Sequence, residues 1–229
     1  MLDLAAKPSS TRDDPGTGPA YHRDRVTWTM FSGLFGFGVL NAILGPALPY
    51  LRAEEHLSYL PGALYQVAFA VGGGLAGLLA IRVQARLGRG VTIRFGLAAA
   101  AVASLAVGYG DAITITVAGA FFMSLFGSSA LIRMWAALAD AHGPRRTVAM
   151  TEGEVTVSLG GTVVALMLGG VAVTVLTWRF AFVAAGAIVI TAVLVMAPCG
   201  SLNPNGSSRP IGSLARLIVG RGPGQGRRW

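Results

Sequence analysis

Long uncharged apolar runs constrain the fold of this chain more than any other feature. No charged residue lies between Arg25 and Arg52, and none lies within residues 57–81. Backbone polar groups find no partner in hydrocarbon, so a chain crosses a bilayer only as helices or as a closed barrel. The runs are too long for barrel strands and lack their alternation. The sequence therefore predicts an all-α, polytopic membrane protein.

Six apolar stretches predict six transmembrane helices, since a span needs about 20 apolar residues. They cover residues 27–48, 60–81, 91–108, 112–138, 148–176 and 178–197. The third is short between charged residues, and Arg94 is expected to extend to the headgroups. The pattern thus divides the chain into a disordered cytoplasmic tail (1–25), a six-helix bundle (26–197) and a linker-like cytoplasmic tail rich in Gly, Pro and Arg (198–229).

The distribution of charge predicts the topology. Only 12% of the residues are charged, against 53% hydrophobic, whereas soluble domains average about 25% charged residues. Sixteen of the eighteen basic residues fall on one side of the expected helices, four of them in the acid-free loop 82–94. Basic residues favour the cytoplasmic side, which predicts a multi-pass protein of the plasma (inner) membrane with both termini cytoplasmic. The net charge is +8. The basic residues lie between apolar runs and not along one helix face, so no nucleic-acid partner is expected.

Four motifs follow one another along the predicted helices. They are NAILGPALPYLR at 41–52, RLGR at 86–89, the Glu-Gly pair at 152–153 with Gly-Gly pairs at 160–161 and 169–170, and TWRFAF at 177–182. In this order they resemble the N-terminal six-helix half of the major facilitator superfamily, over about residues 28–196. The resemblance implies secondary transport of a small solute by alternating access, without a cofactor. We expect a proton-coupled efflux antiporter; the alternatives are uptake of a metabolite and coupling to a solute gradient. The family has twelve helices as a rule, so the chain is expected to be a truncated or half-length member.

The loop motif adds candidate coupling or gating residues. Arg86, Gly88 and Arg89 match the latter part of the family signature between helices two and three. The signature's first Gly and its Asp are replaced by Ile81 and Ala85. That Asp helps the family to lock one conformation by pairing across the two halves, and the resemblance does not supply this lock here.

Arg133, Glu152 and Glu154 are further coupling or gating candidates. They lie near the cytoplasmic ends of the predicted fourth and fifth helices, which are antiparallel neighbours, so Arg133 is expected to reach one of the acids. Ionisable groups at membrane depth are usually paired or functional. The alternative is that all three sit at headgroup level without a role in transport.

Asn41 is the first candidate for contact with a solute. It precedes Gly45 and Pro46, and a proline removes a helical hydrogen bond, which frees a carbonyl beside Asn41. An interhelical hydrogen bond from Asn41 is the alternative. Lesser cavity candidates, each with a structural alternative, are Tyr65, Gln66, Ser124, Ser128 and Ser129.

Small residues four apart predict close helix packing. Gly73 and Gly77 share one face of the second helix, and Gly161, Ala165 and Gly169 share one face of the fifth. We therefore expect Gly77 and Gly161 to be packing positions. Their places in the second and fifth helices agree with two three-helix repeats, although glycine is also common in membrane helices generally.

The sequence favours no metal site and no enzyme. All three histidines fall in the tail or in loops, and Cys199 is the only cysteine, so clustered metal ligands or catalytic groups are not expected. The expected partners are a small solute, the lipid bilayer, and a second six-helix half or a homodimer. The chain alone is expected not to transport, since alternating access needs two bundles. The alternative function is a non-transporting membrane remnant or an assembly subunit.

Overall fold

A computed structural model describes residues 21–172 and 177–196, without the side chains of 81–87 and 171–172. In this part the chain forms six α-helices and no strand, which confirms the all-α prediction. Residues 1–20 of the predicted N-terminal tail (1–25) and the whole predicted C-terminal tail (198–229) lie outside the described residues, as does the side chain of Arg86. The helices are α1 (Arg25–Glu54), α2 (Tyr59–Leu87), α3 (Arg89–Tyr109), α4 (Ile113–His142), α5 (Arg146–Ala172) and α6 (Arg179–Met196), and a 3₁₀ turn (Gly143–Arg145) joins α4 to α5.

Local sequence sets where the helices begin and end. Asp24 caps α1, because its carboxylate accepts hydrogen bonds from the backbone N–H and the hydroxyl of Thr27, at 2.8 and 2.6 Å. Such a cap satisfies donors that the first helical turn leaves unpaired. Gly88, with φ 73°, separates α2 from α3, and Gly143, with φ 45°, follows α4. Glycine adopts this left-handed conformation without the penalty of a side chain.

Five stretches of the described chain are long and apolar enough to cross a membrane. One of them, Ile113–Gly170, runs for 58 residues through α4, the 3₁₀ turn and α5. As one straight helix it would measure about 87 Å, far more than a hydrocarbon core of about 30 Å. The helices are those of a multi-pass membrane protein. Six separate spans are not found, because α4, the 3₁₀ turn and α5 follow one another without a break in helical structure.

Helix α1 lies in the middle of the bundle. It packs against α5, α6 and α4, while α3 packs between α4 and α6, and α2 packs mainly on α4. The chain ends and turns fall into two groups. The start of α1, the α2–α3 joint and the α4–α5 turn share one end, which we call the basic end, and the end of α1 meets the start of α6 at the opposite end.

Closest contact between helices occurs where α1 crosses α5. A Cβ atom at Gly38 would overlap the carbonyl oxygen of Val157, and one at Gly160 would lie 2.5 Å from the carbonyl oxygen of Phe35. Gly161 also packs on α1, since a Cβ there would lie 3.3 Å from the Cβ of Ala42. The expected packing role of Gly77 is wrong, because a Cβ there would meet no described atom within 4 Å.

Two prolines interrupt the hydrogen bonding of α1 near the opposite end. Pro46 and Pro49 lie inside the helix and have no N–H to donate. The carbonyl groups of Ala42 and Gly45, four residues earlier, therefore lack their usual helical donors. Gly45 and both prolines are exposed on the bundle surface.

Candidate functional site

Arg133 is a buried cation on the membrane-spanning part of α4. Its side chain is only 2% exposed, and one terminal nitrogen donates to the carbonyl oxygen of Ala80 on α2 at 2.6 Å. Nε and the other terminal nitrogen are also buried, and neither has a hydrogen-bond partner among the described residues. Buried polar groups are normally hydrogen-bonded. The guanidinium therefore has donors available for an acceptor oxygen that reaches it.

The expected ion pair between Arg133 and Glu152 or Glu154 is wrong in this structure. Arg133 lies on the face of α4 that meets α2, whereas the carboxylate of Glu152 lies against the segment before α1. Glu154 is exposed. Residues two apart on a helix point in different directions, so Glu154 does not follow Glu152 into this contact. Sequence proximity of the two helix ends did not fix which faces meet.

Tyr21 and Arg23 enclose Glu152 at the basic end. The phenol of Tyr21 donates to Oε2 at 2.8 Å, and Arg23 binds both carboxylate oxygens, at 2.6 and 3.0 Å. Burial and the hydrogen bond to Glu152 raise the pKa of Tyr21 to about 12. We call residues 21–24 the strap, because they connect α1 to the α4–α5 corner.

The strap also contacts His142, the last residue of α4. The rings of Tyr21 and His142 are 5.0 Å apart, and Thr27 at the start of α1 shares a hydrogen bond of 3.1 Å with Nε2 of His142. Sequence reasoning missed the strap, since it placed these residues in a disordered tail. The available signal was the pair of ring residues Tyr21 and His22 followed by three charged residues at 23–25, directly before an apolar run.

The loop candidates Gly88 and Arg89 lie beside the end of α4. Arg89 forms an ion pair with Asp140 at 2.6 Å, and the hydroxyl of Thr92 donates to the carbonyl oxygen of Gly88 at 2.7 Å. Asp140 is largely exposed, with 65% of its side-chain surface accessible. This pair joins the start of α3 to the end of α4 at the basic end.

The predicted solute-binding residues separate into two groups. Asn41 on α1 and Gln66 on α2 are exposed on the outside of the bundle. Tyr65 is fully buried, and its hydroxyl shares a hydrogen bond of 2.6 Å with Thr116 and donates to Glu55 at 3.4 Å. The structure therefore does not bring Tyr65 together with Asn41 on one open surface.

The serine candidates lie at the contact between α2 and α4. A Cβ atom at Gly73 of α2 would lie 3.1 Å from Oγ of Ser124 and 3.4 Å from Oγ of Ser128. Ser124 is buried, and Ser128 is half-buried. Ser129 donates to the carbonyl oxygen of Leu125 in its own helix at 2.7 Å.

A second polar cluster closes the opposite end of the bundle. Glu54, the last residue of α1, accepts from the indole of Trp178 at 2.7 Å and from Arg179 at 3.0 Å. Arg179 also donates to the carbonyl oxygen of Gly108 in α3 at 2.8 Å. The Trp-Arg motif therefore ties α6 to both α1 and α3. No group of three or more His, Cys, Asp or Glu that could hold a metal ion occurs in the described part of the chain.

Comparison with known proteins agrees with this all-helical architecture. The family model described as Major Facilitator Superfamily matches residues 30–218, which is well over half of the chain. No curated protein matches the sequence.

Proposed function

Because the chain belongs to the major facilitator superfamily, a family of membrane transporters, we propose that it moves a small solute across the plasma (inner) membrane by alternating access. The transport is outward and driven by protons. The observation that carries the proposal is Arg133, a buried cation in a membrane-spanning stretch with two nitrogens that lack described partners.

In the proposed topology the basic end is cytoplasmic. The strap, the α2–α3 joint and the α4–α5 turn all carry arginines, and basic residues favour the inner side. Both termini are then cytoplasmic, and Ile113–Gly170 crosses the membrane twice, which makes six crossings. Reporter domains fused to either end would give a cytoplasmic signal, and an external signal from either fusion would refute this topology.

Arg133 is proposed to couple solute movement to proton movement. An unpaired cation at membrane depth is costly, and such residues are usually functional. A carboxylate or another anionic oxygen that reaches the two free donors would form an ion pair with two hydrogen bonds, which is stronger than the present single bond to a neutral carbonyl. We propose that the guanidinium moves towards the bound anion, which draws its third nitrogen away from the carbonyl oxygen of Ala80 and releases α2 from α4 at that level.

The ion pairs at the basic end are proposed to form the gate. Arg23 with Glu152 joins α1 to α5, and Arg89 with Asp140 joins α3 to α4. Both pairs are partly exposed, and exposed pairs contribute only about 0–1 kcal/mol each, so they can open and close readily. We propose that three further residues at the basic end act with this gate: Arg86, Gly88 and Glu154.

A second helical bundle is proposed to complete the solute pathway. Asn41, Gln66 and the proline-containing turn of α1 are exposed, yet lipid solvates such polar groups poorly. A solute cavity between two bundles would give these groups aqueous or protein surroundings. The second bundle can be a second copy or another six-helix half, and cross-linking before the flux measurement distinguishes the two.

The test is proton-coupled flux in proteoliposomes that contain the chain together with its second bundle, which is the second copy or the other half that cross-linking identifies. A panel of fluorescent organic solutes is loaded, a pH gradient is imposed, and solute and proton movements are recorded together. We expect Arg133→Gln to reduce coupled flux about tenfold or more, because the neutral side chain can no longer leave the carbonyl of Ala80 for an anionic oxygen. Arg133→Lys, which retains the charge, should keep part of the flux.

Arg94→Gln is the matched control. Arg94 is also an arginine in a candidate span, but its Nε donates to the carbonyl oxygen of Gly90 in its own helix at 3.3 Å. Its replacement should leave coupled flux near the wild-type level. Equal flux in the Arg133→Gln and wild-type proteins, at equal amounts of folded protein, would refute the coupling role.

A further inference from the structure

An open groove lies between α1, α5 and α6. Helix α1 packs against both other helices, while α5 and α6 barely touch each other, so a cleft remains over α1. The cleft has a volume of about 660 Å³ and apolar walls that include Phe31, Phe35, Leu159, Ile188 and Val195. This volume lies within the range of ligand sites, about 300–1,000 Å³.

The few hydroxyl groups in the groove are already engaged in their own helices. Ser32 donates to the carbonyl oxygen of Thr29, and Thr156 to that of Glu152, each at 2.8 Å. Thr191 donates to the carbonyl oxygen of Ala187, also at 2.8 Å. A polar solute would therefore find few available donors in the groove, and an apolar occupant fits its walls better.

The groove matches one bilayer leaflet in position and length. It extends from Trp28 to Phe35 on α1 and from Ala187 to Val195 on α6. At 1.5 Å per residue these stretches are about 10 and 12 Å long, against roughly 15 Å for half of the hydrocarbon core. Both stretches belong to candidate membrane spans. The groove therefore faces lipid at the level of acyl chains.

Two unengaged donors stand at the end of the groove nearest the basic end. Trp28 is 59% exposed, and its ring is held edge-to-face on Phe31, with 6.1 Å between ring centroids. Arg25 is exposed and lies three residues earlier, which places it on the same side of α1. Neither side chain makes a hydrogen bond or an ion pair within residues 21–172 and 177–196. The nearby carboxylate of Glu152 is already bound by Arg23.

From these observations we infer that the groove is a binding site for one phospholipid. An acyl chain lies along Phe31, Phe35 and Leu159, and the phosphate accepts hydrogen bonds from Arg25 and the indole of Trp28. Basic pockets between membrane helices on the cytoplasmic side bind anionic headgroups, and tryptophan prefers the headgroup level. A helix from a second copy would fill the apolar walls without supplying an anion to Arg25, so charge complementarity favours the lipid.

The test is native mass spectrometry of the delipidated full chain, titrated with phosphatidylglycerol. Thr191→Phe fills the groove at an exposed position, and we expect it to weaken lipid binding about tenfold, because each acyl methylene kept out loses its burial. Thr162→Phe is the matched control. Thr162 is also exposed and also bonds back four residues, to Ser158, but it lies outside the groove, and its variant should bind like the wild type.

The headgroup is tested separately. Arg25→Gln should weaken phosphatidylglycerol binding several-fold, while Arg146→Gln, at an exposed arginine away from the groove, should not. Diacylglycerol, which has the chains without the phosphate, should bind wild type and Arg25→Gln equally. Equal phosphatidylglycerol binding by the Thr191→Phe and Thr162→Phe proteins would overturn the proposal. A dimer mass that Thr191→Phe abolishes, without bound lipid in the wild type, would assign the groove to a second copy instead.

Discussion

The crossing of α1 and α5 gives the sharpest stability prediction, Gly38→Ala. The added Cβ would overlap the carbonyl oxygen of Val157 and would lie 2.9 and 3.0 Å from the carbonyl carbon and Cα of the same residue. These are backbone atoms of a helix, which cannot rotate away as a side chain can. Ordinary carbon contacts are about 3.5–4.0 Å, so the two helices must separate by roughly an ångström.

The magnitude follows from two opposing effects. Overpacking of a well-packed contact costs about 1–3 kcal/mol, and a glycine-to-alanine change inside a helix gains up to about 1 kcal/mol. With the full gain, the net effect of Gly38→Ala is therefore a loss of about 0–2 kcal/mol. At Gly74 on α2 a Cβ would meet no described atom within 4 Å. Gly74→Ala should therefore increase the free energy of unfolding by up to about 1 kcal/mol through helix propensity alone.

Thermal unfolding in detergent measures the difference between the two variants. Because both variants share the helix-propensity gain, they differ by the overpacking cost of about 1–3 kcal/mol, which corresponds to about 2–12 °C in Tm for a chain of this size. Gly160→Ala should resemble Gly38→Ala, and the double variant should lose less than the sum, because both changes act on one contact. A Gly38→Ala protein that melts with or above Gly74→Ala would refute the close-approach argument.

Three further predictions concern the two polar ends. Tyr21→Phe should abolish a loss of stability as the pH rises between 10.0 and about 12, because a raised pKa gives stability that is present below the unfolded value and lost through the folded one; thermal melting across this range checks it. Asp24→Ala should lower the free energy of unfolding by about 1 kcal/mol through loss of the α1 cap. Burial opposes the charged form of Asp24, but the hydrogen bonds from Thr27 outweigh it and lower the pKa of Asp24, so the wild type should lose the stability that the cap provides as the pH falls through that pKa. Chemical denaturation of both proteins at neutral and acid pH checks the two expectations. Glu54→Gln should lower the free energy of unfolding by less than about 1 kcal/mol, because the Glu54 side chain in its ion pair with Arg179 is about half exposed and exposed ion pairs contribute little. A larger loss of stability in thermal melting would contradict this.

The sequence predicted which residues form helices because uncharged runs are a one-dimensional property. Charges at Arg25, Arg52 and Arg89 bound the helices nearly where α1 and α3 begin or end. The family resemblance was confirmed for the same reason, since its motifs are ordered along the chain. The charged and polar residues at 139–147 also separated the fourth and fifth expected spans, and the turn at Gly143 lies in that gap.

Which helix faces meet could not be predicted in the same way. Gly77 and Gly38 are both helical glycines, but only Gly38 lies at a helix crossing. Arg133 and Glu152 lie on neighbouring helices, but the rotation of α4 about its axis turns Arg133 towards α2. The strap was missed because its contacts are with residues more than a hundred positions away, as Arg23 with Glu152 shows.

The prolines of α1 also determine which side of the bundle needs contact with water or protein. The carbonyl groups of Ala42 and Gly45 lack helical donors, because Pro46 and Pro49 inside α1 have no N–H group. Hydrocarbon offers no hydrogen-bond donor in their place. This turn therefore needs water or protein beside it, whereas the exposed leucine and valine side chains of α6, at Leu194 and Val195, are suited to lipid. Hydration of α1 near its far end, measured by accessibility of a label at Asn41 to a water-soluble reagent, thus reports the orientation of the whole bundle relative to the bilayer.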